Sequence, residues 1–410
     1  MPSEPLRFIH AADCLLDSPL RDVGPLPGRL VESVAAATLA AFERVLEACL
    51  ERSVDFLLLT GNTFDEAEES LAARIALVEG CALLAEAEID VLAWPGDRDP
   101  RAAWEAIPDL PANVVLLPDW PGEVVEIARD GRTVAEVRCA ASAAPARIAG
   151  ERPPFVIGLR RRSEGTADLL GAPFGADTAG IDYLALAGSG PRQTKRSHAV
   201  FAHHPGATQG LTARQTGPHG CTLVEVDAEG ISRATFVPTA AVRREHFPLA
   251  LEPHAHRDDL LDAMAAALRT RRAEPGERAW LCSWTISGTG RLFDELADER
   301  VRDELLKALA ERETLPREVA LHHEFRSTPA ALDAPPHDAQ AAEYFALLER
   351  CANRADAADD EPAPIPSLRN AIPAEWPVER DRLEPASVLG HARRVGDAWR
   401  AANIEEGSAT

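Results

Sequence analysis

Three short segments concentrate residue types able to hold a hard cation or move a proton. They are His10-Ala11-Ala12-Asp13-Cys14-Leu15-Leu16-Asp17, Gly61-Asn62-Thr63-Phe64-Asp65 and Pro95-Gly96-Asp97-Arg98-Asp99. Carboxylate and amide oxygens suit Mg²⁺ or Mn²⁺, and two such ions ~3.5–4 Å apart generate hydroxide and clamp phosphoryl oxygens. Asp and Asn in loops also cap helices and close turns, and that plainer role suffices for any one segment read alone. Their shared position distinguishes the three: each follows an apolar run. In open α/β sheets the loops beyond the carboxyl ends of the strands gather at one place.

The elements that would position these loops follow from periodicity. Arg7–Ala11, Asp55–Thr60 and Asp90–Trp94 read as buried strands, separated by helical patterns at Ala35–Arg52 and Leu71–Ala87. This alternation is the mark of an α/β sheet protein. A short strand at Val114–Leu117 follows, then a hairpin of Val124–Ala128 and Thr133–Arg138 turned by Asp130-Gly131. Apolar runs at Phe155–Leu159, Tyr183–Ala187, Ala199–Ala202 and Thr222–Val226 read as central strands of a second sheet.

Residues 246–330 then form a compact α+β module, with helices at Leu260–Arg272 and Phe293–Glu311 and a strand at Trp280–Ile286. The Ala/Asp/Pro-rich stretch from Ala331 to Pro366 reads as a linker or arm, interrupted by a helix at Gln340–Arg350. A last helix is expected at Pro385–Ala402, its Val388, Leu389, Ala392, Val395 and Trp399 sharing one face.

Composition narrows the function. The 410 residues carry 66 acidic and 43 basic side chains, a formal charge of −23, with Lys195 and Lys307 the only lysines. Such a field repels phosphates, which disfavours a free-standing nucleic-acid binder; DNA would enter through a local Arg patch or be held by a partner. No run approaches the ~18–20 apolar residues of a membrane span, and the first residues carry no secretory pattern. The seven cysteines are scattered, without a C-x-x-C pair, and read as reduced core thiols of a cytoplasmic protein.

Order and spacing add a resemblance. The segments FIHAADCLLDSPL, VDFLLLTGNTFDE, EAEIDVLAWPGDRD, FVIGLRRRS, DYLALAGSGPRQ and HHPGATQGLTARQTGPHGCTLVEVD resemble, in family order, the calcineurin-like metallophosphoesterases, most closely the SbcD and YhaO type of DNA break-repair exonuclease subunit. The later ISGTGRLFDEL resembles that family's small capping module. The resemblance implies a two-sheet α/β sandwich flanked by helices over residues 1–245, an α+β capping domain over 246–330, and a linker with a C-terminal helical arm over 331–410.

The family's metal ligands carry over poorly. Its D-x-H motif falls on Asp13 and Leu15, and its Gly-Asp motif on Gly61-Asn62, where the metal-bridging carboxylate is now an amide. Its Gly-Asn-His-Asp motif reads Gly96-Asp97-Arg98-Asp99, so the catalytic His is Arg98. A later His falls at about Arg161, and the closing Gly-His-x-His falls on Ala187-Gly188-Ser189-Gly190. Leucine and glycine supply no lone pair, and arginine is always charged and has no acceptor. With the loops converging as in the family, Asp13 and Asp97 face Arg98 and Arg161, which predicts a self-neutralising ion-pair cluster without metal.

Three readings of function stay open. One is a catalytically degraded, cofactor-free subunit working through a coiled-coil ATPase of the SbcC or YhaN kind, docked by the Gln340–Arg350 or Pro385–Ala402 helix. A second is a divergent exonuclease or phosphodiesterase in which Asp13, Asn62, Asp97 and Asp99 hold one Mn²⁺ or Mg²⁺. A scaffold unrelated to DNA is a third, since fold does not dictate function. A homodimer is compatible with any of them. His203-His204 reads as structural or superficial, because adjacent strand residues face opposite ways; His322-His323 reads alike, and His10 as a packed residue beside the pocket. Arg160-Arg161-Arg162 and Arg192–Arg196 are the densest basic spots, suited to phosphate but also to a solvated face.

Overall fold

The computed structural model describes residues 5–120, 122–129, 131–140, 154–161, 178, 180–197, 200–312 and 319–329. The linker after Ala331, the helices expected at Gln340–Arg350 and Pro385–Ala402, and Arg162 lie outside the described residues. Among the described residues no helix is long and apolar enough to cross a membrane.

The first sheet is built from β1 (Leu6–Ala11), β2 (Phe56–Thr60), β3 (Asp90–Trp94), β4 (Val114–Leu116), β11 (Gly220–Val226) and β12 (Ser232–Pro238). Its order is β12-β11-β1-β2-β3-β4, with β1 through β4 parallel and β11 antiparallel to both β1 and β12. The second sheet contains β5 (Val124–Arg129), β6 (Arg132–Cys139), β7 (Phe155–Arg161), β8 (Tyr183–Ala187), β9 (Gln193–Arg196) and β10 (Phe201–His204), in the order β5-β6-β7-β8-β10-β9. A third sheet has the order β13 (Val242–Leu251), β14 (Ala279–Gly288), β15 (Ala320–Pro329).

Period-two burial explains the layering. Phe8, Phe56, Leu58, Leu92 and Trp94 pack between the two large sheets against Ile157, Leu159, Tyr183, Ala185 and Phe201. The alternate residues Ile9, Ala11, Leu57, Leu59, Val91 and Ala93 face helices. Those helices are α2 (Ala37–Arg52), α3 (Leu71–Glu86) and α4 (Arg101–Glu105), which contribute Phe42, Val45, Leu77, Leu84 and Trp104. Strands covered on both faces read as continuous apolar runs, as DFLLLT does. The expected two-sheet sandwich flanked by helices is therefore the observed architecture.

Several elements differ from the sequence reading. Thr222–Val226 lies in the first sheet, not the second: after the second sheet is complete the chain returns to pair with β1. The strand expected at Ala199–Ala202 sits two residues later. The expected Ala35–Arg52 helix is α2, and a helix that the sequence reading did not place, α1 (Gly28–Ala35), precedes it across Ala36. The Phe293–Glu311 helix is α6 (Arg291–Glu295) and α7 (Glu299–Arg312), and α5 spans Arg257–Arg269. The short, polar edge strand β9 had no apolar signal, as befits an edge that must not recruit another chain.

The described residues divide into two units. One lies within Met1–Phe247, Ala266–Ser283 and Glu313–Glu324, and contains both large sheets; the other lies within Pro248–Ala265, Trp284–Arg312 and Phe325–Thr410. In the second, Arg257 bridges Glu295 and Glu304 at 3.6 and 3.1 Å, and Arg312 holds Asp258 and Asp262 at 2.7 and 2.6 Å.

Candidate functional site

The three strand-end loops do converge, held by backbone first. Asp13 N–H donates to Gly61 O at 3.1 Å, and Leu15 and Leu16 N–H donate to Asn62 O and Thr63 O at 3.0 Å each, which extends the parallel β1–β2 pairing into the loops. The turns demand left-handed backbone: φ is 49° at Asp13, 44° at Leu15, 55° at Asn62 and 84° at Gly61. Asn and Asp accept this region readily, whereas leucine does so only under constraint. A Cβ at Gly96 would come within 2.5 Å of Asn62 N and 2.6 Å of Asp99 Oδ1, so the second and third loops can meet only there.

Asp99 joins them. Its Oδ1 accepts the N–H groups of Asn62 and Gly96, each at 2.7 Å, and its Oδ2 accepts Thr63 N–H at 2.8 Å and Trp104 Nε1–H at 3.2 Å. Burial pushes its carboxyl upward while these four donors pull it back. With both oxygens engaged by N–H donors, Asp99 is a positioning residue; the expectation that it is a ligand of a single Mn²⁺ or Mg²⁺ is corrected.

Asp13 is the centre of the cluster and 4% exposed. Asn62 Nδ2 donates to its Oδ1 at 2.8 Å, and the Ser189 hydroxyl reaches the same oxygen at 3.5 Å. The amide orientation is set by Arg98 N–H, which donates to Asn62 Oδ1 at 3.3 Å and so requires oxygen on that side. Burial raises the Asp13 carboxyl, opposed chiefly by the Asn62 hydrogen bond and then by His204.

The arginines do not occupy this space, and the predicted ion-pair cluster is corrected. Arg98 turns outward to Asp65 at 2.5 Å. Arg161 donates to Pro95 O at 2.5 Å and Asp119 at 2.7 Å, with its guanidinium 4.4 Å from the Trp94 ring centre. Asp97 is exposed on its loop. Each guanidinium thus found an acid nearer the solvent, where pairing needs less desolvation than in the buried centre. The sequence reading placed Asp65 in the second loop without its role as partner of Arg98, and it missed Asp119, which stands just beyond β4.

His203 and His204 are both fully buried, which excludes the superficial role and leaves the structural one. His204 Nε2 lies 2.6 Å from Gly188 O, and its Nδ1 accepts Gly206 N–H at 3.1 Å, so both ring nitrogens are engaged. His10 Nδ1 meets the Tyr183 hydroxyl at 2.8 Å and its Nε2 meets Thr60 Oγ1 at 2.9 Å. His203 bridges Thr194 and Thr222, each at 2.8 Å.

These donors do not fit a metal pair. Asn62 presents amide hydrogens to Asp13 where a bridging carboxylate would be needed, Leu15 has no lone pair, and Asp99 and His204 are saturated. Among the described residues no group of three or more His, Cys, Asp or Glu is arranged to hold a metal ion.

No family model matches the chain. Over 243 residues it is 31% identical to the uncharacterized metallophosphoesterase YhaO of Bacillus subtilis strain 168, covering 55% of this chain and 59% of that protein. The chain thus spans about three fifths of that curated relative's length. Among solved structures, a novel archaeal phosphodiesterase aligns with a TM-score of 0.30 and 11% identity, over 57% of this chain and 100% of its own. The protein TT1561 of Thermus thermophilus aligns with a TM-score of 0.32 and 14% identity, over 57% and 99%.

Proposed function

We propose that this chain is a metallophosphoesterase-type subunit of a DNA break-repair assembly, of the SbcD and YhaO kind, in which two-metal phosphoester hydrolysis has been lost. Similarity to a metallophosphoesterase over 243 residues supports the class. The loss rests on one observation: the Asn62 amide donates into Asp13 at 2.8 Å. A two-metal mechanism requires electron-pair donors there, and an N–H is the opposite.

The rim of the loops speaks against direct phosphate capture as well. Asp97, Glu66, Glu68 and Glu69 are exposed there, and Arg98 is already paired with Asp65. DNA is therefore reached through a partner, a coiled-coil ATPase of the SbcC or YhaN kind, and the subunit works without a resident cofactor. The six described cysteines are all unbridged and buried, which suits a cytoplasmic setting.

Affinity purification from native cells, with exonuclease and bis-p-nitrophenyl phosphate assays in added Mn²⁺, tests both halves. The expected result is recovery of the ATPase and no turnover above buffer. Failure to recover an ATPase removes the assembly. Stoichiometric bound metal, with turnover abolished by Asp13→Ala, establishes instead a divergent enzyme with a reduced Mn²⁺ or Mg²⁺ site.

A further inference from the structure

A buried carboxylate must be compensated, by a cation or by donors aimed at it. In a two-metal cradle the cations do this for every acid present; emptied, such a cradle sets like charges against one another. Here the acid that remains, Asp13, is compensated from within the chain. Its partner across the gap is the Asn62 amide, isosteric with a carboxylate but carrying hydrogens on the facing side at 2.8 Å. The amide is held at both ends, its oxygen by Arg98 N–H and its nitrogen by Asp13, while the Asn62 backbone N–H is anchored on Asp99. The two side chains stand on adjoining turns, both left-handed, which the Asp13 N–H to Gly61 O bond ties together.

We propose that the Asn62 carboxamide is a built-in substitute for the divalent cations, letting the strand-end loops close on Asp13 without metal. An acid-to-amide exchange at one position converts a repulsion that only cations relieve into a hydrogen bond that needs none. The loop architecture, including its strained backbone, is thereby kept while the chemistry is given up. This rests on the proposed loss of two-metal chemistry, and it holds whatever the partner is.

Thermal unfolding of the full-length protein, in EDTA and in millimolar Mn²⁺, tests it with three variants. Wild-type Tm should be the same in both. Asn62→Asp should lower Tm in EDTA by on the order of 5–10 °C, because two buried carboxylates then face each other. Exchanging the pair, Asp13→Asn with Asn62→Asp, restores one acid and one amide and should recover most of that loss in EDTA. A wild-type Tm that rises by more than about 3 °C with Mn²⁺ overturns the proposal, since the existing residues would then hold the ion. So does an Asn62→Asp protein as stable as wild type in EDTA, or an exchanged pair no better than Asn62→Asp alone. None of these readings depends on nuclease activity or on an ATPase, so the assembly proposal stands or falls separately.

Discussion

His10 of β1 and Tyr183 of β8 are joined across the two large sheets by a 2.8 Å hydrogen bond. The bond belongs to a polar layer inside an otherwise apolar interface, continued by Thr60, His203, Thr194 and Thr222. The His10 and His203 rings lie 5.9 Å apart. Hydroxyls can serve a neutral imidazole as donor or acceptor, so the layer is satisfied without charge.

Acid should therefore open the sandwich through these rings. Burial, then the neighbouring imidazoles and Arg192, hold His10 well below the usual histidine range; burial and then Arg192 lower His203 to about 3. Both stay neutral in the fold but take up a proton near pH 6.5 once unfolded. Their contribution is present above pH 6.5 and lost as pH falls below it, by about 2 kcal/mol per histidine between pH 6.5 and 5. Buried Asp13 and Asp99, with raised carboxyls, act in the opposite sense, but nearer the carboxylate range. Urea unfolding at pH 7.5, 6 and 5 should show this slope, reduced by about one proton in His203→Gln. An unchanged slope in that variant would place the pH dependence elsewhere.

Asp99 and Asp97 are two residues apart and should behave very differently. Asp99→Asn places an NH₂ where two N–H donors converge and should cost about 2–4 kcal/mol. Asp97→Asn changes an exposed side chain and should fall within about 0.5 kcal/mol of wild type. Paired denaturant titrations decide it, and equal effects would mean that the four-donor Asp99 hub does not hold the loops.

The Arg98–Asp65 pair lies at the surface, with the arginine side chain 42% exposed. Arg98→Ala should cost under about 1 kcal/mol. Arg161→Ala should cost more, about 1–2 kcal/mol, because it also removes the Trp94 stack and the Pro95 carbonyl bond. Arg98→His, which places an imidazole at that position, should yield no phosphodiester hydrolysis with Mn²⁺. Turnover by that single variant would show that the remaining donors hold metal after all.

Much of this was legible in the chain. Continuous apolar runs announced β1, β2 and β3, and the residues just past them announced where the loops would meet. Three things were not. A run such as Thr222–Val226 states its burial but not its neighbour, so the return to β1 was invisible. The polar edge strand Gln193–Arg196 had no hydrophobic period to show. Finally, the types Asp13, Asp97, Arg98 and Arg161 predicted charge balance but not pairing: Asp65 and Asp119 captured the guanidiniums at lower desolvation cost, leaving Asp13 to an uncharged amide.

A second buried charge set, Arg243, Glu245 and Glu277, offers the sharpest stability test outside the loops. Arg243 contacts Glu245 at 2.5 Å and Glu277 at 3.5 Å, donates to Arg272 O at 2.9 Å, and stacks 4.7 Å from the Trp280 ring centre. Glu277 also accepts Trp280 Nε1–H at 2.8 Å, yet burial still raises its carboxyl. Arg271 reaches Glu245 at 3.2 Å but comes from a more exposed position. Removing Arg243 alone leaves Glu277 buried without its cation, so Arg243→Met should cost about 3–5 kcal/mol. Adding Glu277→Gln removes the stranded charge and should recover a substantial part of that loss. A double variant no more stable than Arg243→Met would mean that the arginine acts by packing on Trp280 rather than by charge.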